Sequence, residues 1–147
     1  MDDLRLQNSV INTIGLCQNY YKPETLQHCL RVARYVYENV CLETEEDKVL
    51  GFCIGLCHDL LEDTRATTED ICDVIQISTI EWIEEVMIAL SRQEGESYLD
   101  YIKRLKECSD KIAYIVKLAD MKDHLMQKDT LTEKLKEKYY EALLELL

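Results

Sequence analysis

The segment HDLLEDT, residues 58–64, places four ionisable side chains within six positions at the end of an apolar run. They are His58, Asp59, Glu62 and Asp63. On a helix, residues four apart lie one above the other, so His58 neighbours Glu62 and Asp59 neighbours Asp63. Like charges at this spacing repel, and the cost grows when the acids lose water. This cluster therefore requires a compensating positive charge from elsewhere in the chain.

Two further polar side chains interrupt apolar helical patterns. His28 lies in TLQHCLRVARYV, on or beside the apolar stripe, where most histidines are ordinary core residues. Asp120 directly follows the apolar run 112–119, and a carboxylate there is costly to bury without a partner. Since helices pack antiparallel in small domains, three helices can each bring a ligand into the interior of the bundle.

His28, His58, Asp59 and Asp120 together offer two imidazoles and two carboxylates. This mixed set suits Mn²⁺, Fe²⁺, Zn²⁺ or Co²⁺, whereas Mg²⁺ prefers more oxygen ligands. A bound divalent cation would also supply the missing positive charge. Spacing alone leaves open whether the four side chains converge.

The elements that must position these residues are helices. Apolar residues recur at three- and four-residue spacing almost throughout, and only 4 Gly and 1 Pro interrupt the chain, too few for the many turns of a β-sandwich. The sequence thus predicts one compact all-α domain over 1–147, a bundle of seven or eight helices. We expect the first helix over 2–20, the second from Pro23, and the third from a cap at Thr44 to about Leu61. A short fourth helix should cover 68–76 with Thr67 or Thr68 as its cap, and a fifth should run from Ser78 to about Arg92. The sixth should begin at Ser97, the seventh should run from Ser109 or Asp110 to about Leu125, and the last should begin at Thr130.

The last helix, TLTEKLKEKYYEALLELL, mixes Glu and Lys at helical spacing along one face. This pattern predicts an amphipathic helix that packs on the domain with its charged side in water. The alternative is the seam of a homodimer.

The net charge of −12 argues against nucleic acid or an anionic membrane as a partner, because both require clustered Lys and Arg. A phosphorylated small molecule is compatible with it where a local cation neutralises the phosphates. The longest apolar runs are shorter than the roughly 18 residues of a membrane span, and MDDLRLQNSV does not resemble a signal peptide, so we expect a cytoplasmic protein. The seven cysteines form no CxxC pair, and we expect reduced thiols in the core.

The order H…HD…D over a helical domain resembles the HD-domain superfamily of metal-dependent phosphohydrolases. HDLLEDT is similar to the HDxxEDT of RelA/SpoT-type guanosine tetra- and pentaphosphate hydrolases and of their small single-domain relatives. VKLAD, which ends at Asp120, and ALSRQEGESYLDYI at 89–102 also resemble segments of those relatives. The similarity covers about residues 24–126.

The resemblance implies a metal held by His28, His58, Asp59 and Asp120, with Mn²⁺ as the expected ion. It also implies hydrolysis of a nucleotide, with pyrophosphate released from guanosine tetra- or pentaphosphate. A metal of this kind polarises a phosphoryl oxygen and lowers the pKa of water. Glu62 and Asp63 are then the expected catalytic acid/base groups.

An acidic site must still attract a polyanion, and several side chains near the motifs are candidate substrate contacts: Lys117, Lys122, His124, Arg31 and Tyr98. Two departures from the RelA/SpoT pattern bear on the substrate. The segment before the first histidine, NYYKPETLQ, contains a single basic residue, Lys22, and His124 stands where those hydrolases usually have asparagine. Both departures lie where the base and sugar of the substrate would be bound, and neither lies among the predicted metal ligands.

Two alternatives remain open. An HD-type 5′-nucleotidase or another nucleotide phosphatase would use the same metal ligands with a smaller base pocket. A non-catalytic helical binding module would keep the fold, but a purely structural site has no need of Glu62 and Asp63.

Overall fold

The computed structural model describes residues 2–147, and within that range the chain forms helices and no strand. The predicted all-α bundle is confirmed, with eight helices of at least seven residues and one single turn. They are α1 (Asp3–Tyr20), α2 (Pro23–Tyr37), α3 (Glu45–Cys57), the turn α4 (Leu60–Asp63), α5 (Thr68–Val74), α6 (Ile80–Ala89), α7 (Tyr98–Cys108), α8 (Lys111–Met126) and α9 (Glu133–Leu146).

Side-chain oxygens open most of these helices by accepting an orphan backbone N–H. The predicted caps Thr44, Ser97 and Asp110 are confirmed, each accepting from the amide three residues on. The caps predicted for α6 and α9 are wrong by one and two residues. Thr79 caps α6 through the amide of Trp82, and Thr132 caps α9 through that of Leu135.

The predicted third helix is interrupted where the polar cluster begins. Helix α3 ends at Cys57 instead of continuing to Leu61, and a new turn starts at Leu60. The His58 ring Nδ1 lies 2.6 Å from the Gly55 carbonyl oxygen, so the side chain satisfies a carbonyl that a helix C-terminus leaves free. His58 and Asp59 thus form the link between two helical segments.

Helix α3 lies at the centre of the main core and packs against α1, α2 and α8. Its contact with α2 is unusually close at Gly55, where a Cβ would lie only 3.0 Å from the Cα of Ala33. This close approach brings the middle of α2, which carries His28, towards the end of α3, which leads into His58.

A second, smaller core joins α7, α8 and α9. Tyr139, Ala142 and Leu146 of α9 are buried in it, so the last helix packs within the chain as an amphipathic helix. Among residues 2–147, no helix combines the length and the apolar character needed to cross a bilayer. All seven cysteines are free thiols, and Cys17, Cys29, Cys53 and Cys57 are buried as expected, whereas Cys41 is exposed.

The closeness of α2 and α3 can be tested with two glycines. Gly55→Ala should lower the free energy of unfolding by about 1–3 kcal/mol, because the new methyl group meets the backbone of Ala33. Gly15→Ala, on α1 with nothing within 4 Å of its Cβ, should instead stabilise the protein by up to about 1 kcal/mol through helix propensity. Urea denaturation measures both, and equal stabilities for the two variants would contradict the close packing.

Candidate metal centre

The four predicted ligands converge from three parts of the chain. His28 comes from α2, Asp120 from α8, and His58 with Asp59 from the link between α3 and α4. The Asp120 Oδ1 lies 2.9 Å from the His28 Nε2 and 3.2 Å from the His58 Nε2. The Asp59 Oδ2 lies 3.3 Å from the His58 Nε2 and 3.7 Å from the His28 Nε2. Each of the two carboxylates therefore lies near both histidine Nε2 atoms.

These separations fit a common metal ion. Nitrogen and oxygen ligands bind at about 2.0–2.2 Å, which places neighbouring ligand atoms about 3.0–3.5 Å apart across a tetrahedral or octahedral edge. The four contacts span 2.9 to 3.7 Å, so only small movements would seat an ion. The donor atoms of His28, His58 and Asp120 lie within 4.8 Å of one another, and those of Cys29, His58 and Asp59 form a second group of the same kind.

The second nitrogen of each histidine is held by another group. The His28 Nδ1 lies 2.7 Å from the Oδ2 of Asp123, and the His58 Nδ1 bonds to the Gly55 carbonyl. When Nδ1–H donates to these acceptors, Nε2 of a neutral imidazole presents its lone pair to the centre. Both rings are therefore oriented as metal ligands require.

Asp123 is itself fixed before it orients His28. Its carboxylate is fully buried, and the Arg31 guanidinium donates to both oxygens at 2.7 and 3.0 Å. Burial acts to raise the pKa of Asp123, but the hydrogen bonds from Arg31 and His28 outweigh it and lower the pKa. The predicted substrate contact Arg31 is thus engaged in supporting a ligand of the site.

Asp120 is buried, and positive groups surround it. Lys117 donates to its Oδ2 at 2.8 Å, from one turn earlier on α8. Burial acts to raise the pKa of Asp120, yet the charge of Lys117 and hydrogen bonds from His124, His28 and His58 lower it well below the usual range. Lys117, another predicted substrate contact, is therefore paired with a predicted metal ligand.

Protons on the histidines compete with a metal ion for the same ring nitrogens. Burial acts to lower the pKa of His58, but the charge of Asp59 and the hydrogen bond to Asp120 raise it well above that of a free imidazole. A divalent cation would take the place of the protons held there, because ligation requires neutral imidazole.

The other substrate contacts predicted from the sequence are distributed around this centre. The His124 Nε2 lies 3.2 Å from the Asp120 Oδ1, and its ring stacks on Tyr139 with centroids 5.1 Å apart. The Lys117 Nζ lies 5.3 Å from the ring centroid of Tyr98. Lys122 is exposed and lies over the ring of Tyr35 at 4.3 Å, so no contact joins it to the four ligands.

The two predicted catalytic acids differ in their surroundings. Glu62 is exposed and accepts a hydrogen bond from the backbone N–H of Arg92. Asp63 has a raised pKa, chiefly from partial loss of water and further from the negative charges of Asp59 and Glu62. Asp63 therefore keeps its proton to a higher pH than an ordinary aspartic acid does.

Open clefts flank this acidic pair on two sides. One, of about 760 Å³, runs between Glu62–Asp63 and the loop 92–97. The other, of about 650 Å³, is lined by Asn19, Tyr20 and the residues Thr64 and Arg65. The segment before His28 thus reaches the cleft, but it does so with neutral side chains.

Sequence reasoning missed several neighbours of the centre. Asp123 could have been found, since it lies one turn after Asp120 on the same helix. Tyr139 and Lys138 could not, because only the packing of α9 on α7 and α8 brings them near. The thiol of Cys29, next to His28 in the chain, lies 3.7 Å from the Asp59 carboxylate.

No protein-family model matches this sequence, and no curated protein matches it either.

The role of Asp123 gives a direct test. Asp123→Asn removes the charge that holds Arg31 and weakens the acceptor for the His28 Nδ1–H, so we expect Mn²⁺ affinity to fall about ten- to a hundredfold. Isothermal titration calorimetry measures the affinity, and circular dichroism checks that the variant is folded. Asp73→Asn, an exposed acid on α5, is the matched control and should bind as wild type does. Unchanged affinity in Asp123→Asn would contradict the orienting role.

Proposed function

We propose that this chain is a metal-dependent phosphohydrolase of the HD-domain type that acts on a nucleotide. Its expected substrate is guanosine tetra- or pentaphosphate, from which it removes pyrophosphate. The single observation that carries the proposal is the convergence of two imidazole Nε2 atoms and two carboxylate oxygens at 2.9–3.7 Å from three parts of the fold. The resemblance of HDLLEDT and VKLAD to the RelA/SpoT-type hydrolases supports it.

The residues present fit a divalent metal. Each imidazole is oriented through its second nitrogen, and the carboxylates of Asp59 and Asp120 supply the negative charge that a cation neutralises. Mn²⁺ suits this donor set, as do Fe²⁺, Zn²⁺ and Co²⁺. When bound, such an ion polarises a phosphoryl oxygen and makes water acidic enough to lose a proton near neutral pH.

The chain's own residues then handle the proton. Asp63 can accept one from the attacking water and return it to the leaving group, because its raised pKa lies nearer to neutral pH than that of an ordinary carboxyl. Glu62 is anchored to the N–H of Arg92 and so holds the 92–97 loop against the acidic pair. We assign proton transfer to Asp63 and the positioning of the cleft wall to Glu62.

An HD-type 5′-nucleotidase is the second candidate. The cleft beside the acidic pair is lined by Asn19, Tyr20 and one basic residue, Arg65, whereas Lys22, the single basic residue of the segment before His28, is exposed. A cleft with few basic residues suits a substrate with fewer phosphates, such as a nucleoside monophosphate.

The test is Mn²⁺-dependent hydrolysis by the purified protein. Guanosine tetraphosphate and a panel of nucleoside mono- and triphosphates are offered, and pyrophosphate and phosphate release are followed. We expect pyrophosphate from the tetraphosphate. Asp59→Asn should abolish both turnover and Mn²⁺ binding, and Asp63→Asn should keep Mn²⁺ binding while kcat falls about 10²- to 10⁴-fold.

Asp73→Asn serves again as the exposed-acid control and should retain full activity. Phosphate release from monophosphates alone would move the function to a 5′-nucleotidase. Bound Mn²⁺ without turnover of any member of the panel would contradict the enzyme and favour a binding module.

A further inference from the structure

Two of the basic residues that were expected to attract a polyanion are paired with acids of the protein. Arg31 is paired with Asp123, and Lys117 with Asp120. Arg104 is paired with Glu96, whose pKa falls to about 2 through that hydrogen bond. An anionic substrate must therefore find its positive charge elsewhere.

Lys138 on α9 is a half-buried cation that has no such partner. Within residues 2–147, no carboxylate lies within ion-pair distance of its ammonium. The Nζ lies instead 4.2 Å from the ring centroid of Tyr98 and 5.5 Å from that of Tyr139.

Charged groups of both signs act on Lys138. Partial burial and the charges of Lys117 and Arg92 lower its pKa, while Asp120 and Glu62 act in the opposite direction. Arg92 is exposed at the mouth of the cleft, and its Nε donates to a backbone carbonyl, that of Glu96, instead of to an acid.

Contacts connect Lys138 to the metal centre. The Tyr98 ring lies against Lys138 on one side and Lys117, the partner of Asp120, on the other. The Tyr98 hydroxyl is buried and has no hydrogen-bond partner among the described residues, which leaves one more donor unused at this place. Tyr139, adjacent to Lys138 in the chain, stacks on His124, which contacts Asp120.

We propose that Lys138 forms an anion subsite beside the metal centre that binds a second phosphate group of the substrate. This inference rests on the proposed function and narrows its substrate class to molecules with at least two linked phosphates, one at the metal and the next at Lys138. It also gives α9 a part in the site, in addition to its part in the small core.

The experiment measures inorganic pyrophosphate binding to Mn²⁺-loaded protein by isothermal titration calorimetry. Lys138→Met removes the charge but keeps the aliphatic stem over the tyrosine rings. We expect pyrophosphate to bind about ten- to a hundredfold more weakly to this variant, the range for loss of a charged hydrogen bond. Lys138→Arg should stay within about threefold of wild type, since it restores the charge.

Lys134→Met, an exposed lysine one turn earlier on α9, is the matched control for net charge and should leave the affinity unchanged. Equal affinity in Lys138→Met and wild type would overturn the subsite, as would an equal loss in Lys134→Met or no binding by the wild type. Because the probe is not turned over, a protein that hydrolyses none of the nucleotides but shows the Lys138-specific loss would refute the enzyme and keep the subsite. Nucleotide hydrolysis whose KM is unchanged in Lys138→Met would keep the enzyme and refute the subsite.

Discussion

The carboxylate of Asp120 divides its two oxygens between two kinds of positive partner, and the site is organised around that division. Its Oδ2 is held by Lys117, while its Oδ1 faces the Nε2 atoms of His28, His58 and His124. A buried carboxylate is tolerable only with such compensation. One oxygen is therefore fixed by the protein, and the other remains directed at the place where a cation would bind.

Backbone geometry determines whether the histidines can reach that oxygen. Helices α2 and α3 approach so closely at Gly55 that a side chain there would meet the backbone of Ala33. The carbonyl of the same glycine orients His58. On the other side, Asp123 holds His28 and is held by Arg31. The site thus depends on groups that would never touch a metal, and this is the expected design of a centre with fixed ligands.

The sequence predicted the fold class and most helix starts, because helical spacing and capping residues are local signals. The four side chains that it singled out lie together in the fold, and metal binding by them stays a prediction. The proximity of α9 to the site was not predictable, since it depends on how Tyr139 and Leu146 pack on α7. Nor could spacing show that Lys117 and Arg31 are paired with Asp120 and Asp123. Both pairings depend on burial, which turns candidate substrate contacts into supports of the metal ligands.

The central claim is that two imidazoles and two carboxylates bind one metal ion together. X-ray absorption spectroscopy of the protein loaded with one equivalent of Mn²⁺ tests it most directly, because outer-shell scattering counts imidazole ligands. The account predicts two imidazoles with oxygen donors and no sulfur in the wild type, and one imidazole in His28→Gln. A sulfur ligand, which Cys29 would supply, or a spectrum unchanged by His28→Gln would contradict it.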